Sequence, residues 1–260
     1  MSSYLRYLLV SAVLCPLASV ALYMLYTSSI EGEEVGELEG EILLPLPRLK
    51  GEMSVEEAIS RRRSVREYTD EPLGLEEVAQ LLWSAQGITE PNREFRAAPS
   101  AGATYPLILY LVVREGGVKG LRAGIYRYDT LRHSLKIVKE GDYSSELSTA
   151  ALGQPWVREA PVNIVFTAVY ERTTIRYGER GIRYVHMEVG HAAQNVYLQA
   201  TAMKLGTVVV GAFRDKEVLR IVGAGEDEQP LYIMPVGRVA ELYELSLEEL
   251  EEFYARNRAP

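Results

Sequence analysis

The sequence predicts an α+β fold, and three observations lead to it. Two apolar stretches of strand length, TYPLILYLVV (104–113) and PVNIVFTAVY (161–170), predict buried strands. The helical spacing of apolar residues predicts helices over 75–87 and 185–206. These strands and helices do not alternate as regular βαβ units, so the pattern favours α+β over a doubly wound parallel sheet.

The N-terminal segment is apolar enough to suggest a membrane helix. Residues 4–26 carry one charge, Arg6, which is followed by 20 uncharged, mostly apolar residues. A helix that crosses a bilayer needs about 20 such residues. We therefore predict a single-pass membrane anchor within residues 1–26, with a cleaved signal segment as the alternative. The basic charge before the span gives a slight preference for placing the rest of the chain outside, and the side stays open.

A linker and a folded domain follow. Residues 31–41 hold six glutamates and three glycines, and Pro45 and Pro47 come next, so residues 27–50 are predicted to be a solvated linker. Residues 51–260 are predicted to fold as one domain.

Within this domain the local signals predict the remaining elements. Ser54 with Glu57, and Ser246 with Glu249, match the capping box that starts a helix. Alternating apolar residues around a polar turn predict a hairpin. The predicted elements are a helix over 54–62, hairpin strands over 124–129 and 134–140, strands over 206–213 and 230–238, and a helix over 246–257.

Composition excludes several function classes. The formal net charge of −8 argues against nucleic acid as a partner, because binding to the phosphate backbone needs a basic face. The chain has a single cysteine and three histidines, too few for a thiolate cluster or a typical histidine site, so no metal site is predicted.

Although the protein is acidic overall, positive charge is concentrated in the stretch RRRSVREY (61–68). The guanidinium fork suits phosphate oxygens, and a neighbouring hydroxyl adds a donor. We predict an anion site formed by Arg62, Arg63, Ser64 and Arg66. A solvated charged face is the alternative.

Small residues flank two predicted strands in a way that suits a flat ligand. Pro99, Ser100, Ala101 and Gly102 come before the strand over 104–113 and offer backbone amides with little side-chain bulk. A tight turn into the strand would need the same residues. The stretch GTVVVGAF ends in a similar way at Val210 and Gly211, and PVGR supplies Arg238 as a further phosphate donor.

The order of these motifs resembles the nitroreductase family. RRRSVREY, PSAGATYP, GIYRYD, EVGHAAQNVYLQA, GTVVVGAF and MPVGR follow one another as in that family, over about residues 51–240. The resemblance is strongest to its SagB-type branch, which includes the azoline dehydrogenases of thiazole- and oxazole-forming pathways. It implies a central, mostly antiparallel sheet flanked by helices, and an FMN-dependent oxidoreductase that works as a homodimer with the flavin at the subunit interface.

The resemblance also implies roles for the candidate residues. The phosphate, the ribityl chain or the polar edge of FMN would contact Arg62, Arg63, Ser64, Arg66 and Arg238. Pro99, Ser100, Ala101 and Gly102 would flank the isoalloxazine ring, with Val210 and Gly211 on its other side. Asn195 lies on the long helix, where it would contact the flavin or the dimer interface, or would serve as a structural hydrogen-bond donor.

Arg183 and Tyr184 occupy the place where related azoline dehydrogenases carry a Lys-Tyr pair. Because arginine stays protonated, it is a poor base, so hydride transfer from a reduced nicotinamide or organic donor to a small organic acceptor is favoured over azoline oxidation. NAD(P)H is then a candidate co-substrate. Oxidation of an azoline peptide, and a flavin-binding module without catalysis, remain alternatives.

Overall fold

An antiparallel sheet with helices on both faces forms the architecture, which a computed structural model describes for residues 37–38 and 40–258. The strands are β1 (Glu37–Leu38), β2 (Glu41–Leu43), β3 (Ile88–Glu90), β4 (Phe95–Arg96), β5 (Leu107–Val113), β6 (Gly124–Asp129), β7 (Ser134–Glu140), β8 (Val162–Val169), β9 (Leu205–Thr207) and β10 (Glu228–Arg238). The helices are α1 (Val55–Arg61), α2 (Leu75–Gln86), α3 (Ser144–Ala150), α4 (Pro155–Glu159), α5 (Glu171–Tyr177), α6 (Arg180–Ala202), α7 (Asp215–Val222) and α8 (Leu247–Arg258).

The order of the strands shows how the sheet is built. Strand β1 does not belong to the same compact unit as the other strands, so it is described by itself. From β2 onwards the order in the main sheet is β2-β7-β6-β5-β8-β10-β9, and each neighbouring pair is antiparallel. Strands β3 and β4 pair separately as a small hairpin. The expected α+β class and the antiparallel sheet flanked by helices are confirmed.

The central strands bury both of their faces. Along β5, Leu109 and Leu111 belong to the core beneath α2 and α6, whereas Tyr110 and Val112 belong to the core beneath α3, α4 and α7. Successive side chains of a strand point to opposite faces, so a strand covered on both sides reads as a continuous apolar run. This is why the run over 104–113 signals a strand so clearly.

Helix α1 delivers the arginine-rich stretch to the sheet. Ser54 and Glu57 form the predicted capping box, and Arg62 is the C-terminal cap of the helix. The chain then continues alongside β9, where the amide of Val65 donates to the carbonyl of Thr207 at 2.9 Å. The sequence therefore fixes the residues after Arg61 against one end of the sheet.

Two predicted boundaries differ from the structure. The long helix α6 begins at Arg180, before the predicted residue 185, and ends at Ala202. The predicted strand over 206–213 is reduced to β9 and an isolated pairing of Val210 with Ile233. The amide of Val209 donates to Tyr197 Oη and not to a neighbouring strand, which interrupts the ladder.

The predicted linker needs a correction at its C-terminal end. Strand β2 pairs with β7, and Leu44 is buried, with its amide donating to the carbonyl of His133 at 3.0 Å. The amide of Arg48 donates to Gln80 Oε1 at 2.8 Å. The folded unit therefore begins before residue 51, whereas the first part of the predicted linker lies outside the described residues.

The predicted single-pass anchor, and the membrane localisation inferred from it, are not supported and are corrected here. Across residues 37–38 and 40–258, every helix is too short or too polar to cross a bilayer. The longest of them, α6, carries Arg180, Arg183 and Glu188. The predicted span itself, residues 4–26, lies outside the described residues.

Candidate functional site

One group of predicted site residues meets at Tyr197 on α6. Ser64 Oγ lies 3.0 Å from Tyr197 Oη, and the guanidinium carbon of Arg62 lies 5.1 Å from the centre of its ring. The amide of Val209 donates to the same Oη at 2.8 Å. We call Arg62, Ser64, Tyr197 and Val209 the Tyr197 cluster. It joins the end of α1 to the segment that follows β9.

The arginines of this stretch differ in how they are used. In the described part of the chain, Arg62, Arg63 and Arg66 have no carboxylate within 4.0 Å. Arg63 donates to the backbone carbonyls of Ser60 and Arg62, and its guanidinium carbon lies 3.6 Å from the centre of the Tyr243 ring. Its side chain is therefore engaged, whereas the charges of Arg62 and Arg66 are available to an anion.

Arg66 borders a second aromatic side chain. Its guanidinium carbon lies 5.4 Å from the centre of the Trp156 ring. The indole Nε1 of Trp156 is buried and has no hydrogen-bond partner among the described residues. A buried donor without a partner is costly, so this N–H is a candidate contact for a bound ligand.

Val210 and Gly211 lie beside an open cavity. Val210 is held by two backbone hydrogen bonds to Ile233, at 2.8 and 2.9 Å. Gly211 is exposed, and a Cβ added there would meet only Tyr232, at 4.0 Å. A cavity of about 530 Å³ adjoins Gly211 and is lined also by Ile182 and His186. This segment has room for a ligand on its exposed side.

Arg238 is not placed as expected for a phosphate donor. Its Nε lies 3.0 Å from Glu71 Oε1, and its Nη2 lies 2.9 Å from Glu77 Oε2. Glu77 also accepts the amide of Gly74 at the start of α2. Two carboxylates neutralise this guanidinium and tie β10 to α2, so its predicted role as a phosphate donor would need these ion pairs to open and stays a prediction.

A second group of predicted residues surrounds the loop 99–103, which we call the Gly102 loop. Ser100 precedes a single turn over Ala101–Ala103, and Gly102 has a φ of 62°, in the left-handed region. Arg176 Nη1 donates to the carbonyl of Gly102 at 3.2 Å. A Cβ added at Gly102 would lie 2.6 Å from Tyr177 Oη. The positive φ favours glycine at this position, whereas the contacts would be with the ends of two flexible side chains, which can move aside.

Tyr184 is connected to this loop through Tyr177. The two tyrosine rings stack edge to face, with centroids 5.2 Å apart. Arg183 is exposed on the first turns of α6. Tyr184 therefore lies near the Gly102 loop, whereas the catalytic role of the predicted pair stays a prediction.

Glu188 is a buried titratable residue beside the Gly102 loop that the sequence analysis did not single out. It is 2 % exposed, and its Oε1 has no hydrogen-bond partner among the described residues. Burial raises the pKa of Glu188 to about 7, against the opposing effects of Ser100, Arg96 and Gln86. The spacing of Tyr184, Glu188 and Asn195 along one face of α6 was the signal available in the sequence.

Asn195 has a structural contact in this chain. Its Nδ2 donates to the carbonyl of Ala97 at 3.3 Å. This bond fixes α6 against the segment that leads into the Gly102 loop, in agreement with the structural alternative, and contact with a flavin stays a prediction.

The two groups are not brought together within one chain. The Tyr197 cluster contacts residue 197 of α6, whereas the Gly102 loop faces residue 188. Nine residues of α-helix correspond to about 13 Å along the axis, and the two positions lie on different sides of the helix. Residues of the two groups therefore do not form one continuous surface in a single subunit.

Comparison with known proteins identifies the family to which this sequence belongs. The sequence profile of the Nitroreductase family matches residues 59–238, which is more than half of the chain. The chain belongs to the nitroreductase family. Both groups of site residues lie inside the matched nitroreductase region, whereas α8 lies beyond it.

Individual nitroreductases agree with this assignment. A provisionally named nitroreductase of Methanocaldococcus jannaschii, MJ1384, is 48% identical over 198 residues, which are 76% of this chain and 97% of the relative. A crystal structure of a provisionally named nitroreductase from Ralstonia eutropha superposes with a TM-score of 0.68 at 30% identity, over 80% of this chain and 93% of that one. The fold and the family are thus established by near-complete matches.

More distant relatives have been named for particular reactions. The NAD(P)H-dependent FMN reductase of Bacillus subtilis is 24% identical over 69% of this chain and 61% of its own length. The microcin B17-processing protein McbC of Escherichia coli is 26% identical over 57% of this chain and 56% of its own length.

Proposed function

We propose that this protein is an FMN-dependent oxidoreductase, which transfers hydride between a reduced nicotinamide or organic donor and a small organic acceptor. The observation that carries the proposal is the Tyr197 cluster with Arg66. Two guanidinium groups that have no carboxylate partner among the described residues, and one hydroxyl, lie there within the nitroreductase region. This donor set fits a phosphate monoester, because such an anion can accept several charge-assisted hydrogen bonds at once.

Each part of the chain would have one task in this reaction. Arg62, Ser64 and Arg66 would hold the phosphate of FMN. The Gly102 loop would lie against the isoalloxazine ring, where the small residues leave its face accessible. FMN would supply the redox chemistry, by accepting and returning a hydride equivalent, and the protein would supply binding and orientation.

The separation of the two groups supports the expectation of a homodimer. Within one chain the Tyr197 cluster and the Gly102 loop face different sides of α6. A second copy that presents its own Gly102 loop beside the first copy's Tyr197 cluster would complete the site. Light scattering that finds only monomers of the flavin-loaded protein would contradict this arrangement.

The experiment for the proposed function is a flavin spectrum followed by reduction. We expect the purified full chain to take up FMN in equimolar amount, and NADH or NADPH to bleach its visible absorbance without oxygen. A nitroaromatic or quinone acceptor should then restore the absorbance. A protein that binds no FMN, or binds FMN that neither nucleotide reduces, would overturn the proposal or limit it to ligand binding.

Oxidation of an azoline peptide is the second candidate. The position of Tyr184 beside the Gly102 loop and the likeness to McbC favour it. Arg183 argues against it, because a guanidinium does not accept a proton near neutral pH. Conversion of a thiazoline peptide to a thiazole without any turnover of NAD(P)H would make this candidate the better one.

A further inference from the structure

Four exposed arginines, which we call the arginine rim, line one side of the Gly102 loop. They lie on α5 and on the first turns of α6: Arg172, Arg176, Arg180 and Arg183. The protein as a whole carries a formal net charge of −8, so this local excess of positive charge is contrary to its composition.

Carboxylates do not neutralise the arginine rim. In the part of the chain that the structure describes, none of the four has a carboxylate oxygen within 4.0 Å, whereas Arg132, Arg214 and Arg238 each have at least one. The same segment holds two exposed glutamates, Glu171 and Glu179, so its net charge remains positive. An unpaired guanidinium keeps most of its capacity for charge-assisted hydrogen bonds.

Two members of the rim are anchored by the backbone they border. Arg172 Nη1 donates to the carbonyl of Tyr105, and Arg176 Nη1 donates to the carbonyl of Gly102, both at 3.2 Å. Each guanidinium has five N–H donors, so one bond to a carbonyl leaves several of them free. The rim is thus fixed at the edge of the Gly102 loop while its donors remain available.

An aromatic pair connects Arg180 to the same place. The guanidinium carbon of Arg180 lies 5.9 Å from the centre of the Tyr184 ring, which in turn packs on Tyr177. Arg183 follows Arg180 by three residues, so the two project from neighbouring positions on one face of the helix. A substrate that approaches the Gly102 loop from this side would meet several positive charges at once.

We infer that the arginine rim recognises a phosphate or carboxylate group on a substrate of this enzyme. The inference rests on the proposed function for the position of the reacting ring, and it deepens that function by naming the substrate class. It also explains why arginine occupies position 183. A guanidinium cannot remove a proton there, but its planar fork binds an anion in two places at once.

Two pairs of compounds test which reactant carries the anion. NADPH differs from NADH by one phosphate, and 4-nitrobenzoate differs from nitrobenzene by one carboxylate. In the flavin-loaded double variant Arg180→Gln/Arg183→Gln, we expect kcat/KM to fall about tenfold for the charged member of the relevant pair, through KM, because two charge-assisted contacts are removed. The other member should change by less than about twofold, and added salt should reduce the difference.

The matched control is Arg122→Gln/Arg220→Gln, which removes two exposed arginines outside the rim. If the control lowers kcat/KM for the charged compounds as strongly, or if charged and uncharged compounds lose equally in the rim variant, the inference is wrong.

A binding measurement separates this inference from the proposed function. Calorimetry with inorganic pyrophosphate needs no turnover, and the comparison with both double variants is made in an Arg62→Gln/Arg66→Gln background, which removes the other proposed phosphate site. We expect the rim variant to lose at least fivefold in affinity and the control to lose little. If the protein takes up no flavin, the proposed function fails, but this comparison still tests whether the arginine rim binds an anion. An unchanged pyrophosphate affinity in the rim variant would show that it does not.

Discussion

Gly102 shows how one residue controls the conformation of the loop beside the expected ring site. With a φ of 62°, it adopts a conformation that costs an L-residue about 1 kcal/mol or more. An added Cβ would also meet Tyr177 Oη at 2.6 Å and Arg176 Nη1 at 2.8 Å. We expect Gly102→Ala to lower the free energy of unfolding by about 1–2 kcal/mol, mostly through the backbone conformation, and to weaken FMN binding because Tyr177 and Arg176 must move.

A second glycine separates the two causes of that loss. Gly116 has a φ of 66°, and a Cβ added there would meet nothing within 4 Å. Gly116→Ala should therefore cost only the conformational part, about 1 kcal/mol, and should leave FMN binding unchanged. Equal losses of stability in urea unfolding of the two variants would show that the contacts with Tyr177 and Arg176 are unimportant.

Glu188 makes the stability of the protein depend on pH. Burial raises its pKa from 4.5 to about 7 in the folded state, so the folded protein holds this proton more tightly than the unfolded chain does. Its favourable contribution is complete below pH 4.5 and is lost as the pH rises through about 7. The expected loss between these limits is on the order of 3 kcal/mol.

The variant Glu188→Gln tests this dependence because it keeps the shape and removes the charge. Urea unfolding at pH 5 and pH 8 should show a smaller loss of stability in the variant than in the wild type. Glu140→Gln, at an exposed position, is the control and should follow the wild type. Parallel stability curves for wild type and Glu188→Gln would contradict the shift.

The sequence predicted some of these residues and not others, for physical reasons. The arginine-rich stretch was visible because charge is a local property of a sequence. The pairing of Arg238 with Glu71 and Glu77 was not, because those carboxylates lie more than 160 positions away and only the folding of β10 against α2 brings them close. Likewise, the sequence alone does not show that Arg63 turns onto Tyr243.

At the scale of the element, α1 determines where the phosphate donors lie. Its capping box satisfies two of the free amides at its first turn: Ser54 Oγ accepts from the amide of Glu57 at 3.1 Å, and Glu57 Oε2 accepts from the amide of Ser54 at 2.9 Å. Ser54→Ala should therefore destabilise the protein by about 1 kcal/mol and weaken FMN binding severalfold, as measured by thermal unfolding and by titration.

Helix α8 provides the comparison for this prediction. It begins with the same pair of bonds, between Ser246 and Glu249, but it buries no residue. Ser246→Ala should therefore fray α8 locally without lowering the midpoint of global unfolding. A Ser54→Ala protein that behaves like Ser246→Ala would show that α1 does not contribute to the cooperative unit.

Elements differ in how well the sequence predicted them. The hairpin strands β6 and β7 lie where they were expected, because alternation around a polar turn is a strong local signal. Helices α3, α4, α5 and α7 were not predicted, since each has five to eight residues and too few periodic positions. Because α5 was not predicted, the arginine rim was not predicted either, since two of its four arginines lie on that helix.

At the scale of the whole molecule, the start of the folded unit is testable. Residues 40–50 add strand β2 to the sheet and bury Leu44. A protein beginning at residue 51 should therefore be less stable than one beginning at residue 40 by at least about 2 kcal/mol, the value of one buried leucine side chain. If the two proteins unfold at the same temperature, residues 40–50 do not contribute to the folded unit, as the linker prediction requires.

The central claim is that Arg62, Ser64 and Arg66 hold the phosphate of a flavin mononucleotide. The most direct measurement compares the dissociation constants of FMN and riboflavin, which lacks the phosphate, for the flavin-free protein by fluorescence titration. We expect FMN to bind at least about 30-fold more tightly, because the phosphate gains charge-assisted hydrogen bonds of about 2 kcal/mol or more in total. The ratio of the riboflavin and FMN dissociation constants should be smaller in Arg62→Gln and unchanged in Arg122→Gln. Equal affinities for FMN and riboflavin in the wild-type protein would contradict the account.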